Sequence, residues 1–282
     1  MDTVERSADL RTRVAAWRRA GERVAFVPTM GNLHAGHYSL LALARTHAAR
    51  VVASVFVNPT QFGPREDFAA YPRTLAQDRV GLAAHHCDLL FAPEIEEMYP
   101  FGAAHSVRVD VPGLGDILDG AARPGHFSGV ATVVTKLFNL VQPDVAVFGQ
   151  KDFQQVLVVR RLVEDLRLPI EIVVAPTQRE ANGLAMSSRN QYLSAEERER
   201  ASVIYRTLQA MRHDLLAGKA RVAIEAAAQS ALEQAGLTPD YCVLRSARDL
   251  SMPAEDERNG LVALVAARLG RARLIDNLVL DP

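Results

Sequence analysis

Apolar and polar positions along the first 175 residues predict helices and buried strands in alternation. Leu10, Val14 and Trp17 recur at helical spacing and Gly21 follows them, which predicts an amphipathic helix that ends before the apolar run at 23–27. The run VVASVFV at 51–57 has no polar face, so it is typical of a strand buried on both sides.

The same alternation continues and predicts a parallel sheet with helices on both faces. Strands are predicted at 23–27, 51–57, 87–92, 144–148 and 170–175. Between them, helices are predicted at 37–49, near 74–84, from Ser128 onward and at 152–166. The expected fold is therefore α/β, a doubly wound (Rossmann-like) sheet, and such sheets bind ligands beyond the carboxyl ends of their strands.

The pattern changes after residue 177. A polar loop leads to predicted helices at 195–217 and 221–235, and three strand-like runs follow at 240–245, 261–267 and 271–277. Ser194 and Glu197 have the spacing of a capping box at the start of the first of these helices. We predict a domain at 1–177 and a smaller α+β domain at 178–282.

Composition and charge exclude several classes of protein. Hydrophobic residues make up 49% and charged residues 23% of the 282 positions, which is ordinary globular composition. The formal net charge of -1 gives no global field for nucleic acid or an anionic membrane, and no run reaches the roughly 18 apolar residues of a membrane span. We expect a cytoplasmic protein in which Cys87 and Cys242 are buried thiols.

The strongest local motif is PTMGNLHAGH at 28–37, between a predicted strand and a predicted helix. Gly31 and Gly36 allow the backbone to approach a ligand, and the helix N-terminus favours phosphate. His34 and His37 can donate N–H groups to phosphate oxygens. The alternative is a pair of histidines that pack at a helix start or bind a metal, but this arrangement resembles the nucleotidylyl-transferase superfamily.

Further polar segments are predicted at the same edge of the sheet or follow its last strand. Met186-Ser187-Ser188-Arg189 offers hydroxyls and a guanidinium to phosphates, or is an ordinary polar loop before a capped helix. Gly149-Gln150-Lys151-Asp152 follows a strand and offers a cation, or its charges simply cap a helix.

Uncharged amides also follow the strands. Asn58 and Gln61 come after the strand at 51–57 and suit a small polar acid, although Asn58-Pro59 is also a common turn. Arg123 and His126 in RPGHF, and YPRT with Asp78, either contact a charged ligand or lie at the surface.

Together these segments resemble the pantothenate synthetase family. The motifs that carry the resemblance are PTMGNLHAGH, FVNPTQF, YPRT, RPGHFSGVATVV-KLF, FGQKDFQQ and REANGLAMSSRN-YLS, over most of residues 24–195. The resemblance implies a ligase that converts pantoate and ATP to pantoyl adenylate and pyrophosphate, after which β-alanine attacks and AMP leaves. It also implies Mg²⁺ as cofactor and a homodimer.

The resemblance assigns roles to individual residues. It implies that the first domain binds ATP and pantoate and that the second acts as a lid. Catalysis is assigned to His34, His37, Lys151 and Arg189, with His37 as the active-site acid. Pantoate and β-alanine are assigned to Asn58, Gln61, Arg123 and Gln155, and magnesium to Asp78. ATP contacts are assigned to Met30, Gly31, Asn32, Leu33, His34, Ala35, Gly36, His37, Gly149, Gln150, Lys151, Asp152, the backbone of Gln178, Met186, Ser187, Ser188 and Arg189.

Two positions depart from the family pattern, and two other functions remain open. Gln150 stands where the family usually has Glu, and Gln77 stands where an acidic residue commonly precedes Asp78. A related transferase that leaves the nucleotide on its acceptor would share the phosphate motifs but would not release AMP. A non-catalytic nucleotide sensor would bind ATP and release no pyrophosphate.

Overall fold

The chain divides into two compact units. The computed structural model describes residues 1–64 and 66–280. One unit contains Met1–Gly149 and Val158–Ala175, and the other contains Gln150–Leu157 and the chain from Pro176 onward. The predicted domains, 1–177 and 178–282, differ from this division by the segment Gln150–Leu157 and by residues 176–177. That the two parts are independent domains stays a prediction.

The first unit contains a six-stranded parallel sheet in the order β1-β4-β3-β2-β5-β6. Its strands are β1 Asp2–Val4, β2 Val24–Thr29, β3 Arg50–Val55, β4 Leu89–Phe91, β5 Val145–Gly149 and β6 Glu171–Ala175. The predicted doubly wound α/β sheet is confirmed. The sequence pattern missed the edge strand β1, because three residues in a charged segment show no periodicity.

Helices alternate with these strands as predicted. They are α1 Ser7–Arg19, α2 Ala35–His47, α3 Leu75–Ala84, α4 Ile95–Met98, α5 Asp119–Ala122, α6 His126–Val141 and α7 Phe153–Asp165. Both α2 and α6 begin two residues before their predicted starts at residues 37 and 128. The short helices α4 and α5 were not predicted, since four residues are too few to show a helical period.

Burial explains why the sheet strands are apolar throughout. Val24, Ala25, Phe26 and Val27 of β2 are completely buried, so both faces of the central strand are covered. Helix α6 is also apolar on most of its surface and buries ten of its sixteen residues. In the described part of the chain, no helix has the length and hydrophobicity needed to cross a membrane.

The second unit combines helices with an antiparallel sheet, β7-β8-β9. Its elements are α8 Ala195–Ala201, α9 Val203–Leu216, α10 Arg221–Gln234, β7 Thr238–Ser246, β8 Leu261–Leu269 and β9 Ala272–Val279. The predicted capping box at Ser194 and Glu197 is confirmed. The prediction of one continuous helix at 195–217 is wrong.

Ser202 separates α8 from α9. Its hydroxyl donates to the Glu199 carbonyl at 2.6 Å, and its backbone N–H donates to the same oxygen at 3.2 Å. A serine hydroxyl can replace a main-chain partner in this way and end a helix. Both cysteines are buried as predicted, and burial raises the pKa of the Cys87 thiol to about 11 and that of Cys242 to about 12.

Gly129 allows α6 to lie directly on the backbone of the 3-10 turn Pro59–Gln61. A Cβ atom at Gly129 would lie 2.4 Å from the Thr60 carbonyl oxygen and 2.7 Å from the Gln61 Cα. Both contacts are shorter than real Cβ contacts, and backbone atoms cannot rotate away as a side chain can. The turn that carries Gln61 therefore depends on a glycine at this position of α6.

We expect Gly129→Ala to lower the free energy of unfolding by about 1–3 kcal/mol, because the added methyl group overpacks this contact. Urea denaturation measures the change. Ser128→Ala is the control, since it alters the preceding residue of the same helix without adding an atom. Equal stability of the two variants would show that the turn yields to the methyl group at little cost.

Candidate active site

The predicted site residues of the first unit follow the carboxyl ends of its central strands. The chain runs from β2 toward β3 and β4 on one side, whereas β5 and β6 lie on the other side of β2. Such a reversal of strand order is where doubly wound sheets bind ligands. The segment 30–37 follows β2 directly, and Asn58 and Gln61 follow β3.

The loop after β2 has two consecutive residues in the left-handed region. Gly31 has a φ of 82° and Asn32 a φ of 52°. A Cβ atom at Gly31 would lie 3.0 Å from Asp78 Oδ2 and 3.0 Å from Val55 Cγ1, so this position needs glycine for both its conformation and its space. The sharp turn that results leads directly into α2.

The carboxylate of Asp78 holds this loop from α3. Its Oδ2 accepts from the Asn32 backbone N–H at 3.1 Å and from the Thr74 hydroxyl at 3.1 Å. Its Oδ1 accepts from the Leu33 N–H at 2.8 Å. Asp78 is 2% exposed, and its charge adds to burial in raising the pKa of Tyr38. The sequence left Asp78 as a ligand contact or a surface residue, and the resemblance suggested a metal ligand; the surface alternative is wrong for Asp78, and its contacts with the loop were not predicted.

His34 and His37 are brought together at the start of α2. The Gly36 N–H donates to His34 Nδ1 at 3.1 Å, and the His34 N–H donates to His37 Nδ1 at 3.3 Å. The ring centroids are 4.2 Å apart. Because each Nδ1 accepts a hydrogen bond, each neutral ring carries its hydrogen on Nε2. Two N–H donors are thus positioned beside the positive end of a helix dipole, which suits phosphate.

Asn58 and Gln61 share one buried cluster. The Asn58 amide donates to Gln61 Oε1 at 3.0 Å and to the Gly129 carbonyl at 3.2 Å. Asn58 Oδ1 accepts from the Tyr99 hydroxyl at 2.6 Å. The Gln61 Nε2 donates to Met30 Sδ at 3.2 Å, so this cluster reaches the loop after β2. Asn58 therefore holds Gln61 in place, and substrate binding by either residue stays a prediction.

Arg123 belongs to a charged group that also holds Gln61. It donates to both oxygens of Glu66 at 2.7 Å and, through Nη1, to His126 Nε2 at 3.0 Å. The Nδ1 of His126 donates to the Gln61 carbonyl at 2.8 Å. Burial, and then the Arg123 charge, lower the pKa of His126 to about 4, so it is neutral near pH 7. The neutral imidazole thus links Arg123 to the backbone of Gln61.

The other predicted residues that follow a strand belong to the second unit, except Gly149 at the end of β5. Gln150–Asp152 form a 3-10 turn before α7, and Lys151 Nζ donates to Asp152 Oδ1 at 3.3 Å. Gln155 is half-buried in the first turn of α7. The Asn277 amide donates to the carbonyls of Gln150 and Lys151 at 2.9 Å each.

The loop that carries Met186–Arg189 is also held by hydrogen bonds within the second unit. The Met186 N–H donates to the Gln178 carbonyl at 2.9 Å, and Arg179 forms a β-bridge with Ala185. The Ser187 hydroxyl accepts from the Arg189 N–H at 3.2 Å at the start of a 3-10 helix, Ser188–Tyr192. Buried Asn190 donates to Glu180 and to the Ala185 carbonyl.

Sequence reasoning missed the residues that hold these loops. The buried pair Asp276-Asn277 lies on β9, whose other residues are all apolar except Arg273. Two consecutive polar residues inside a strand-like run are uncommon, and this was the signal that could have singled out the pair, although it does not show what the pair contacts. Glu66 had no such signal, because an acidic residue in a polar loop is ordinary.

Comparisons with known proteins find relatives of one family over nearly the whole chain. The family model described as pantoate-beta-alanine ligase matches residues 2–279. A pantothenate synthetase of Xanthomonas euvesicatoria pv. vesicatoria is 58% identical over 269 residues, which cover 95% of this chain and 96% of that protein. A pantothenate synthetase of Stenotrophomonas maltophilia is 56% identical with the same coverage of both chains.

Solved structures give the same result. The pantothenate synthetase of Thermus thermophilus matches with a TM-score of 0.93 and 51% identity, covering 100% of both chains. The pantoate-beta-alanine ligase of Francisella tularensis, solved as a complex with beta-gamma ATP and beta-alanine, matches with a TM-score of 0.83 and 32% identity, covering 99% of this chain and 97% of that chain.

We expect Asp78→Asn to lower the free energy of unfolding by about 1–3 kcal/mol, because an amide NH₂ group would replace one of the two oxygens that accept hydrogen bonds from the loop. Urea denaturation is the measurement. Asp256→Asn makes the same change at an exposed position and serves as the control. A midpoint for Asp78→Asn equal to that of the control would show that the carboxylate does not hold the loop.

Proposed function

Since the chain belongs to the pantoate–β-alanine ligase family, we propose that it joins pantoate to β-alanine through a pantoyl adenylate, with ATP as the second substrate. The observation that carries the proposal is the pair of imidazoles at the start of α2, whose Nε2–H groups suit phosphate. The Francisella relative in complex with beta-gamma ATP and beta-alanine supports two of the three substrates.

In the first step, a carboxylate oxygen of pantoate attacks the α-phosphorus of ATP. A bond forms between that oxygen and phosphorus, and the bond from phosphorus to the bridging oxygen breaks, so pyrophosphate leaves with the electron pair. Negative charge grows on the phosphate oxygens during this exchange. We assign its stabilisation to His34 and His37 through Nε2–H and to the cations of Lys151 and Arg189.

In the second step, the uncharged amine of β-alanine attacks the acyl carbon of the adenylate. The bond from the acyl carbon to the phosphate oxygen breaks, AMP leaves with the electron pair of that bond, and the nitrogen loses a proton to water. This step needs positioning and no protein nucleophile. Gln61 and Gln155 are assigned to pantoate, with Gln61 also near β-alanine; Asn58 and Arg123 keep Gln61 in position.

The remaining ATP contacts are proposed on the same grounds. In the first unit they are the loop from Met30 to His37 and Gly149. In the second unit they are Gln150, Asp152, the Gln178 backbone and Met186 to Ser188. We also propose that the chain works as a homodimer in the cytoplasm, where the two buried thiols stay reduced.

Mg²⁺ is proposed to accompany ATP. Among the described residues there is no group of three or more His, Cys, Asp or Glu side chains that could hold a metal ion. This fits an ion held mainly by phosphate oxygens and water, as is usual for Mg²⁺ beside nucleotides. Asp78, the predicted ligand, already accepts three hydrogen bonds and has limited capacity left for the ion. When bound, Mg²⁺ neutralises charge on the phosphates.

Exchange of labelled pyrophosphate into ATP tests the proposed intermediate. With pantoate present and β-alanine absent, we expect exchange, because adenylate formation is reversible; without pantoate we expect none. AMP should appear only when β-alanine is added. Folded protein that makes pantothenate without supporting exchange would contradict a pantoyl adenylate that forms before β-alanine binds. A nucleotide that stays on its acceptor would indicate the related transferase reaction.

His37→Ala should slow the exchange by about 10²-fold or more, because it removes a donor that acts on charge developing in the transition state. The rate of pantoate-dependent exchange at saturating ATP is the measurement. His213→Ala, which removes an exposed imidazole on α9, is the control. A rate for His37→Ala within twofold of that control would overturn the assigned role.

A further inference from the structure

Asn277 fixes the backbone on both sides of Lys151. Its side-chain NH₂ group donates to the Gln150 carbonyl at 2.9 Å and to the Lys151 carbonyl at 2.9 Å. These two carbonyls belong to the peptide groups immediately before and after the Lys151 Cα. Since the peptide groups are planar, holding both of them fixes φ and ψ at Lys151 and therefore the direction in which its side chain leaves the backbone.

Asn277 is well suited to this task because it is itself rigid. It lies on β9, where its Cα pairs with that of Leu264 on β8, and it is 2% exposed. A side chain on a buried strand has few alternative rotamers and is a more precise support than one on a loop. The turn Gln150–Asp152 thus takes its position from a strand of the same unit.

Asp276 and Arg179 hold Asn277 in turn. The Asn277 N–H donates to Asp276 Oδ1 at 2.8 Å, and its carbonyl accepts from Arg179 Nη2 at 3.4 Å. Arg179 also donates to both Asp276 oxygens, at 2.6 and 3.0 Å. The guanidinium carbon lies 3.7 Å from the centroid of the Tyr205 ring. Arg179, Asp276 and Asn277 therefore form one continuous set of hydrogen bonds that ends at the Lys151 backbone.

We infer that Asn277 is a positioning residue for Lys151 in the adenylation step, with Asp276 and Arg179 as its supports. The inference rests on the proposed function, because it assumes that Lys151 acts on the phosphates of ATP. Asn277 contacts the backbone beside Lys151 and not the ammonium group. Its effect on the reaction therefore depends on the Lys151 side chain being present.

Asn277→Asp is the most direct variant. The aspartate has the same shape, but its carboxylate cannot donate and repels the two carbonyl oxygens. We expect pantoate-dependent pyrophosphate exchange to fall about 10- to 100-fold, the usual cost of losing a support for an active-site group. Asn259→Asp makes the same chemical change at an exposed position of the second unit and should leave the rate unchanged.

A double-mutant cycle separates positioning from a general structural role. Asn277→Asp is measured alone and together with Lys151→Ala, with urea denaturation of each variant. If Asn277 acts through Lys151, the double variant exchanges within about twofold of Lys151→Ala, because the side chain being positioned is already gone. If Asn277→Asp does not fold, Asn277→Ala, which removes the donors without repulsion, takes its place in the same cycle.

The outcomes distinguish failure of the role inferred for Asn277 from failure of the role proposed for Lys151. A normal rate for Lys151→Ala would overturn the role of Lys151 itself. A slow Lys151→Ala with a normal Asn277→Asp would overturn the positioning role alone. If Asn277→Asp lowers the exchange rate by the same factor with Lys151 present and with Lys151→Ala, Asn277 acts independently of Lys151. That result would also overturn the inference.

Discussion

The buried carboxylate of Asp78 determines the shape of the loop on which the proposed chemistry depends. That loop turns sharply after β2 and leaves the N–H groups of Asn32 and Leu33 pointing away from any strand or helix partner, and Asp78 accepts from both. Unpaired N–H groups are costly away from water, so an acceptor had to come from another part of the chain. With the loop fixed, α2 begins at Ala35 and its two imidazoles are held at the helix start.

The other loops proposed to bind substrates are also held by hydrogen bonds from side chains to the loop backbone. His126 donates to the Gln61 carbonyl, Asn190 donates to the Ala185 carbonyl, and Asn277 donates to the carbonyls beside Lys151. In each case a buried or half-buried side chain supplies the partner that a strand or helix would otherwise provide. Irregular backbone can therefore remain ordered beside a substrate.

The long elements and the polar loops could be predicted from the sequence because both leave local signals. Apolar runs marked β2, β3 and β6, and the motifs carried the family resemblance that the comparisons confirm. The edge strand β1 and the helix break at Ser202 could not be predicted, since each depends on a few contacts. The supporting residues were missed for a different reason: Asn277 lies 126 residues from Lys151, and no local pattern records that pairing.

That separation along the chain has a consequence for synthesis. Domains fold as they emerge, N-terminal parts first, and all strands of the parallel sheet precede residue 176. The carbonyls beside Lys151, however, have no Asn277 partner until 126 more residues have been added. At about 5–20 residues per second, this interval lasts roughly 6–25 s. The hydrogen bonds that fix the backbone of Lys151 can therefore form only after β9 has been translated, later than every strand of the parallel sheet.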